Sequence, residues 1–278
     1  MSNKFINSII AISRPTNVLI SMISIFVAAF ITGTLHPAIN VLLACVSGGL
    51  IAAGANTIND YFDLEIDRIN KPKRPLVAGK LSSSQALIIA LFEFAVGSLL
   101  ALFIGLLAFI IAFSISLLLF FYSYRLKRLP LIGNLAVSFS TGMAFIYGGI
   151  AVHRVVETLI PAIFAFFYHF GREIIKDIQD REGDTSEKAR TFPIIYGNRL
   201  SLILTTLNFA LLTVLVFLPF LFGWYGIKYI LVILFGVYPV IFFSVWSMWR
   251  NQTPSNLGFI SNLLKADMLV GLLAIYLG

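Results

Sequence analysis

Apolar residues run along this chain in long blocks, separated by short stretches of charge, glycine and proline. The blocks lie near 17–34, 40–59, 84–103, 106–124, 132–151, 158–176, 199–222, 228–248 and 258–277. Each approaches the roughly 20 residues that a helix needs to cross about 30 Å of hydrocarbon. The pattern predicts an all-α integral membrane protein, a bundle of nine transmembrane helices forming one domain over residues 1–278. Within 84–124 the turn is marked only by Gly105. Residues 1–16 carry Lys4 and Arg14, end in Arg14-Pro15, and read as a short amphipathic segment. No small-residue cleavage site follows the first apolar run, so the first span is expected to be retained.

Composition agrees with that reading. Of 278 residues, 59% are hydrophobic and 12% charged, against about 25% charged in soluble domains. Cys45, alone of its kind, excludes an intramolecular disulfide and a cysteine-based metal motif, and is expected to be a small buried hydrophobe. The basic residues set an orientation. With the N-terminus inside, 17 of the 20 Lys and Arg residues fall on the cytoplasmic side, the exceptions being Arg154, Lys228 and Lys265. An odd number of spans then puts the C-terminus outside.

The acid is concentrated. Ten of the thirteen Asp and Glu residues lie within 60–67 or 173–187, where one motif occurs twice: Asn59-Asp60-x-x-Asp63-x-x-x-Asp67 and Lys176-Asp177-x-x-Asp180-x-x-x-Asp184. At about 100° per residue, spacings of 0, 3 and 7 hold three carboxylates within about 60° of a helix face. Both faces sit at the expected cytoplasmic ends of their spans, where they can meet. The net charge of +7 suits anionic lipid headgroups, but many cations interleave with the aspartates: Arg68, Lys71, Lys73 and Arg74 after the first motif, and Arg172, Lys176, Arg181, Lys188 and Arg190 around the second. Oxygen-only ligands at this density suit Mg²⁺, which keeps waters and bridges to substrate phosphate. Carboxylate, Mg²⁺ and Lys/Arg together describe a diphosphate site.

Other classes compete for the same residues. A solvated, topology-setting acidic face explains one such cluster better than two of matched spacing. A calcium-binding loop lacks its twelve-residue pattern. A cation transporter would use ionisable residues near spans, but these aspartates lie at helix ends, and Lys265 with Asp267 reads as an interfacial pair.

The two motifs, with Asn70-Lys71-Pro72-Lys73-Arg74-Pro75 after the first and Thr191-Phe192-Pro193 after the second, resemble the signatures of the UbiA superfamily of intramembrane prenyltransferases. Nine spans match that family's nine-helix bundle, so the resemblance covers essentially the whole chain. Within it, Gly171 to Asp180 is most similar to the archaeal-lipid branch, the digeranylgeranylglyceryl phosphate synthases, although Lys188 and Phe192 stand where that branch has other residues.

The resemblance implies catalytic, Mg²⁺-holding carboxylates at Asp60, Asp63, Asp67, Asp177, Asp180 and Asp184. It implies an isoprenyl diphosphate donor, a lipid-like phosphorylated acceptor and a cytoplasmic-side active site in the cell membrane. The implied reaction joins a geranylgeranyl group to the glycerol hydroxyl of geranylgeranylglyceryl phosphate. An aromatic prenyltransferase of quinone or chlorophyll type is the alternative within the family. Substrate contacts are expected from Asn59, from Lys71 and Arg74 in a Pro-stiffened loop, from Arg172 and Lys176 one turn apart, and from Arg14 towards the acceptor. Tyr61, with Tyr147, Tyr168 and Phe139, is a candidate to shield an allylic cation. His169 is a candidate acceptor contact or base. Neither a nucleic acid nor an obligate protein partner is expected.

Overall fold

The computed structural model describes residues 2–186 and 189–278. Lys188 and the side chain of Lys4, both counted in the orientation argument, lie outside what is described. Every regular element among the described residues is helical: α1 (Ser2–Ile12), α2 (Pro15–Phe30), α3 (Ala38–Phe62), α4 (Leu64–Asn70), α5 (Ser83–Ala101), α6 (Leu106–Tyr124), α7 (Ile132–Ala151), α8 (Leu159–Gln179), α9 (Arg181–Ser186), α10 (Phe192–Leu221), α11 (Ile227–Val232), α12 (Tyr238–Arg250) and α13 (Pro254–Leu277). Short 3₁₀ turns occur besides, and a π-helical segment at Ile233–Val237 joins α11 to α12.

Counting the continuous α11–α12 segment Ile227–Arg250 as one, seven of the described helices are long and apolar enough to cross a membrane, or eight if α1 and α2, bent by 54° at their junction, count as one broken span. The difference from nine has a local cause. α8 covers the run at 158–176, but its last turns carry Arg172, Glu173, Lys176 and Asp177, so it lacks an apolar length of its own. The punctuation works as read elsewhere. Gly105 separates α5 from α6 at φ 152°, a conformation open to glycine alone. Gly197 (φ 82°) divides α10, leaving the span expected from 199 as its long second part.

The chain forms two compact units, 1–126 with 143–159 and 127–142 with 160–278. In the first, α3 packs against α2, α5 and α6 through small residues, which let backbones approach where apolar lipid gives no hydrophobic drive. A Cβ on Gly97 would lie 3.0 Å from the Ser47 carbonyl oxygen, and one on Gly148 only 2.4 Å from that of Ile25. Ser47 Oγ donates to the Gly97 carbonyl (2.7 Å) and shares a hydrogen bond with the Tyr147 hydroxyl (2.8 Å). Tyr147 is thus a core residue of this unit, and Cys45 is buried nearby as expected. A satellite cluster of Ile12, Leu76, Leu81 and Ala86 packs α1 and the 71–82 loop against the start of α5, whose N-terminus is closed by a Ser82–Gln85 capping box.

In the second unit α10, the α11–α12 segment and α13 pack together. Tyr229 and Tyr238 donate their hydroxyls to the Val216 and Thr213 carbonyls of α10. Asn208 donates to the Phe167 carbonyl of α8 (2.8 Å). Asp267, expected to pair with Lys265, is instead buried and accepts a hydrogen bond from Tyr168 (2.6 Å), while Lys265 is exposed. A buried carboxylate in an apolar helix needs a donor, and the neighbouring phenol supplies it without a second charge. Outward faces are strongly apolar, with Phe103, Leu106 and Phe235 more than two-thirds exposed, as lipid contact requires.

Candidate active site

The first motif is built at a break. α3 ends at Phe62, Asp63 sits between helices at φ −95°, ψ 8°, and α4 begins at Leu64. The i to i−4 ladder nevertheless carries through, with Asp63 N–H donating to Asn59 O (3.0 Å) and Asp67 N–H to Asp63 O (2.8 Å). The three aspartates therefore do not form one uniform face. Asp60 and Asp67 converge on Arg74, whose Nη1 lies 2.9 Å from Asp60 Oδ1 and also pairs with Asp67 Oδ2. Arg14 donates to Asp60 as well, so the side chain expected to reach the acceptor meets the first aspartate. Asp63 takes a different partner, the Asn59 amide, at 2.9 Å.

Burial makes these contacts matter. Asp60 and Asp67 are 3% and 5% exposed at the side chain, and Arg74 16%. Carboxylates removed from water stay charged only when cations or donors face them. Two guanidiniums meet that need here. Arg74 is aimed by its loop, where Arg74 N–H donates to Lys71 O and Ala78 N–H to Arg74 O, and buried Leu76 anchors the turn. Lys71, at the end of α4, is exposed, and Glu65 pairs with Arg68 at the surface (3.1 Å), away from this cluster. Tyr61 is half-buried and packs edge-on against Phe62.

The second motif repeats the construction. α8 ends at Gln179, Asp180 stands between helices, and α9 starts at Arg181. The matching bonds recur, from Asp180 N–H to Lys176 O (2.8 Å) and Asp184 N–H to Asp180 O (2.9 Å). Asp177 accepts from the buried Asn134 amide at 2.8 Å. Glu173 binds both cations of this helix, with Arg172 Nη1 at 2.9 Å and Lys176 Nζ at 3.0 Å. Arg172 Nε also donates to the Ser261 carbonyl of α13 (3.1 Å), one turn before Lys265. His169 Nδ1 is buried with no hydrogen-bond partner among the described residues, within electrostatic reach of Glu173, Arg172, Lys176 and Lys265. Tyr168 is committed to Asp267, and Phe139 is about half exposed.

Residues 21–263 match the UbiA prenyltransferase family. This chain belongs to that family. A digeranylgeranylglyceryl phosphate synthase of Methanosphaera stadtmanae is 37% identical over 274 residues, which cover 98% of this chain and 99% of the relative. A solved structure described as digeranylgeranylglyceryl phosphate synthase superposes with a TM-score of 0.83 at 31% identity, over 99% of this chain and 98% of that one. A UbiA homolog from Archaeoglobus fulgidus, bound to GPP and Mg²⁺, shares the fold with a TM-score of 0.69 at 20% identity, over 95% and 99% of the two chains. The chain is accordingly a multi-pass membrane prenyltransferase.

The donor set of the two motifs fits Mg²⁺. Among the described residues no three carboxylates, imidazoles or thiols converge on one point. At phosphate-transfer sites Mg²⁺ takes one or two carboxylates, with oxygen donors and retained waters. Three buried polar residues around the two motifs escaped sequence reasoning. Asn134 was one polar side chain in an apolar span, Glu173 was counted only as acid, and Glu93 stood alone on α5.

Proposed function

We propose that this chain transfers a geranylgeranyl group from geranylgeranyl diphosphate to the glycerol hydroxyl of geranylgeranylglyceryl phosphate, giving digeranylgeranylglyceryl phosphate and diphosphate. One observation carries the reading: full-length likeness, at 37% identity, to a protein named for that product. The 31% identical structure of the same name supports it.

In this reading the C1–oxygen bond of the donor breaks with its electron pair passing to diphosphate, and the acceptor hydroxyl oxygen forms the new ether bond to C1 as it loses its proton. Asp60, Asp63, Asp67, Asp177, Asp180 and Asp184 would hold Mg²⁺, which when bound neutralises the diphosphate and makes it a better leaving group; the Mg²⁺ and GPP of the Archaeoglobus fulgidus homolog support the use of that ion with a prenyl diphosphate. Arg14, Arg74 and Lys71 bind donor or acceptor phosphate, with Asn59 orienting Asp63. Asn134 orients Asp177 by its 2.8 Å hydrogen bond. Arg172 and Lys176, held by Glu173, add positive charge for a second phosphate. His169 contacts the acceptor, and Tyr61 contributes an aromatic wall that shields cationic character from water.

The whole chain works as one prenyltransferase domain with nine spans. α8 and the broken α1–α2 pair complete the count, with the N-terminus and both motifs cytoplasmic and the C-terminus outside. The distribution of 17 of 20 basic residues supports that orientation.

The test is a product assay. Purified protein in detergent with Mg²⁺ and geranylgeranyl diphosphate is offered geranylgeranylglyceryl phosphate in one sample and phenolic acceptors in another, and products are read by mass spectrometry. An ether lipid is expected. A prenylated phenol would move the acceptor assignment to the aromatic branch, and no product in either would overturn the reading.

A further inference from the structure

Glu93 lies outside both acidic motifs, in the apolar run of α5, and is 7% exposed. Its two oxygens accept from two hydroxyls, one at the α1–α2 junction and one on α3. Ser13 Oγ lies 2.8 Å from Oε1, and Thr57 Oγ1 2.9 Å from Oε2. A carboxyl group among apolar helices is costly, so what it fixes in place deserves an account.

Ser13 precedes Arg14 at the junction of α1 and α2. Arg14 has φ 52° and ψ 76°, in the left-handed region that an L side chain rarely adopts. Pro15 follows it and keeps Arg14 out of the ordinary helical region, so the 54° bend is dictated but its exact course is not. The surroundings fix it. Ser13 O accepts from Asn56 Nδ2 (3.0 Å), and Asn56 Oδ1 accepts from Asn17 Nδ2 (3.2 Å). Residues on both sides of Arg14 are thereby tied to Asn56 and Thr57 of α3, the turn that precedes Asp60. Arg14 then reaches Asp60 from that anchored backbone.

We infer that Glu93 is a positioning residue: by bridging Ser13 to Thr57 it locks the α1–α2 junction against α3 and so aims the Arg14 guanidinium at Asp60. Its hydrogen bonds go to Ser13 and Thr57 and not to Asp60, so it acts through Arg14. The inference rests on the proposed prenyl transfer only in that Arg14 and Asp60 are taken to serve the diphosphate.

The test is a double-mutant cycle on the full chain in detergent. Wild type, Glu93→Leu, Arg14→Ala and the double variant are compared for kcat, for KM of geranylgeranyl diphosphate at saturating Mg²⁺, and for melting temperature, with Glu93→Gln as the conservative rescue. Loss of a charge-assisted contact corresponds to about a tenfold change. Glu93→Leu is expected to raise KM about tenfold, as Arg14→Ala does, and to cost nothing further in the Arg14→Ala background. Glu93→Gln keeps one acceptor and gains one donor for the same two hydroxyls, and is expected to return KM to within about twofold of wild type. Should Glu93→Leu not fold, Ser13→Ala with Thr57→Val removes the same bridge and is expected to give the same cycle. Independent, multiplying effects would overturn the inference, as would a loss of melting temperature with KM unchanged. If wild type itself makes no product, the prenyl-transfer reading fails. The positioning claim is then read from binding of inorganic diphosphate with Mg²⁺ by calorimetry, through the same cycle and with the same criterion.

Discussion

Arg74→Met removes the guanidinium that joins Asp60 to Asp67 while keeping an unbranched apolar stem of similar reach. Breaking a buried ion pair by deleting one partner costs about 3–5 kcal/mol, because the remaining charge is left uncompensated. Two features place this case at the lower end. Arg14 still faces Asp60, and Arg74 is 16% exposed, so water partly replaces it. Asp67, 5% exposed, loses the cation bound to it. A loss of about 3 kcal/mol follows, and at about 2–4 °C per kcal/mol for domains of comparable size the melting temperature should fall by about 6–12 °C. Scanning fluorimetry of the detergent-solubilised protein reads this directly. Arg74→Lys should recover only part of the loss, since a single ammonium lacks the fork that reaches two carboxylates. A melting temperature for Arg74→Met within about 1 °C of wild type would refute the claim that this guanidinium neutralises two buried acids.

Other perturbations separate the parts of the site. Asn134→Leu strips Asp177 of its amide donor and should lower kcat/KM for geranylgeranyl diphosphate by about tenfold, a penalty in the range of a lost buried hydrogen bond; unchanged kinetics would remove Asn134 from the site. Asp60→Asn and Asp177→Asn should each reduce diphosphate release by about 100-fold or more, the scale of losing one electrostatic stabiliser of a leaving group. EDTA should abolish turnover and excess Mg²⁺ restore it, and activity surviving EDTA would exclude metal-held diphosphate. Arg154→Ala should be silent in both kinetics and melting, because its pairing with Glu157 (3.4 Å) is at the surface, where such pairs contribute less than about 1 kcal/mol.

Much of this architecture was legible because it is written in periods and punctuation. The duplicated 0, 3, 7 spacing led to both acidic motifs, Gly105 to the α5–α6 turn, and the Pro-flanked 71–75 stretch to a loop that delivers Arg74. What stayed hidden depends on contacts distant in sequence. Nothing near Glu93 suggests that it meets Ser13, 80 residues away, and Asn134 meets Asp177 across 43 residues. Lys265 and Asp267 looked like a pair because they are two residues apart, yet on a helix that spacing turns them about 160° from each other, and Asp267 found Tyr168. The apolar first half of the run at 158–176 points to an ordinary span, whereas its last turns carry the charges of the second motif.

The middle aspartate of each motif has a consequence for alanine scanning. Asp63 and Asp180 occupy the joints between α3 and α4 and between α8 and α9. Aspartate is a poor helix former and tolerates such joints, whereas alanine is the best helix former of all. Alanine at either position favours drawing the joint into one continuous helix, which would shift the third aspartate of the motif as it deletes the second. Inactivity of Asp63→Ala or Asp180→Ala would therefore mix a missing ligand with an altered backbone. Asparagine, isosteric and equally at home in a break, isolates the carboxylate's own contribution.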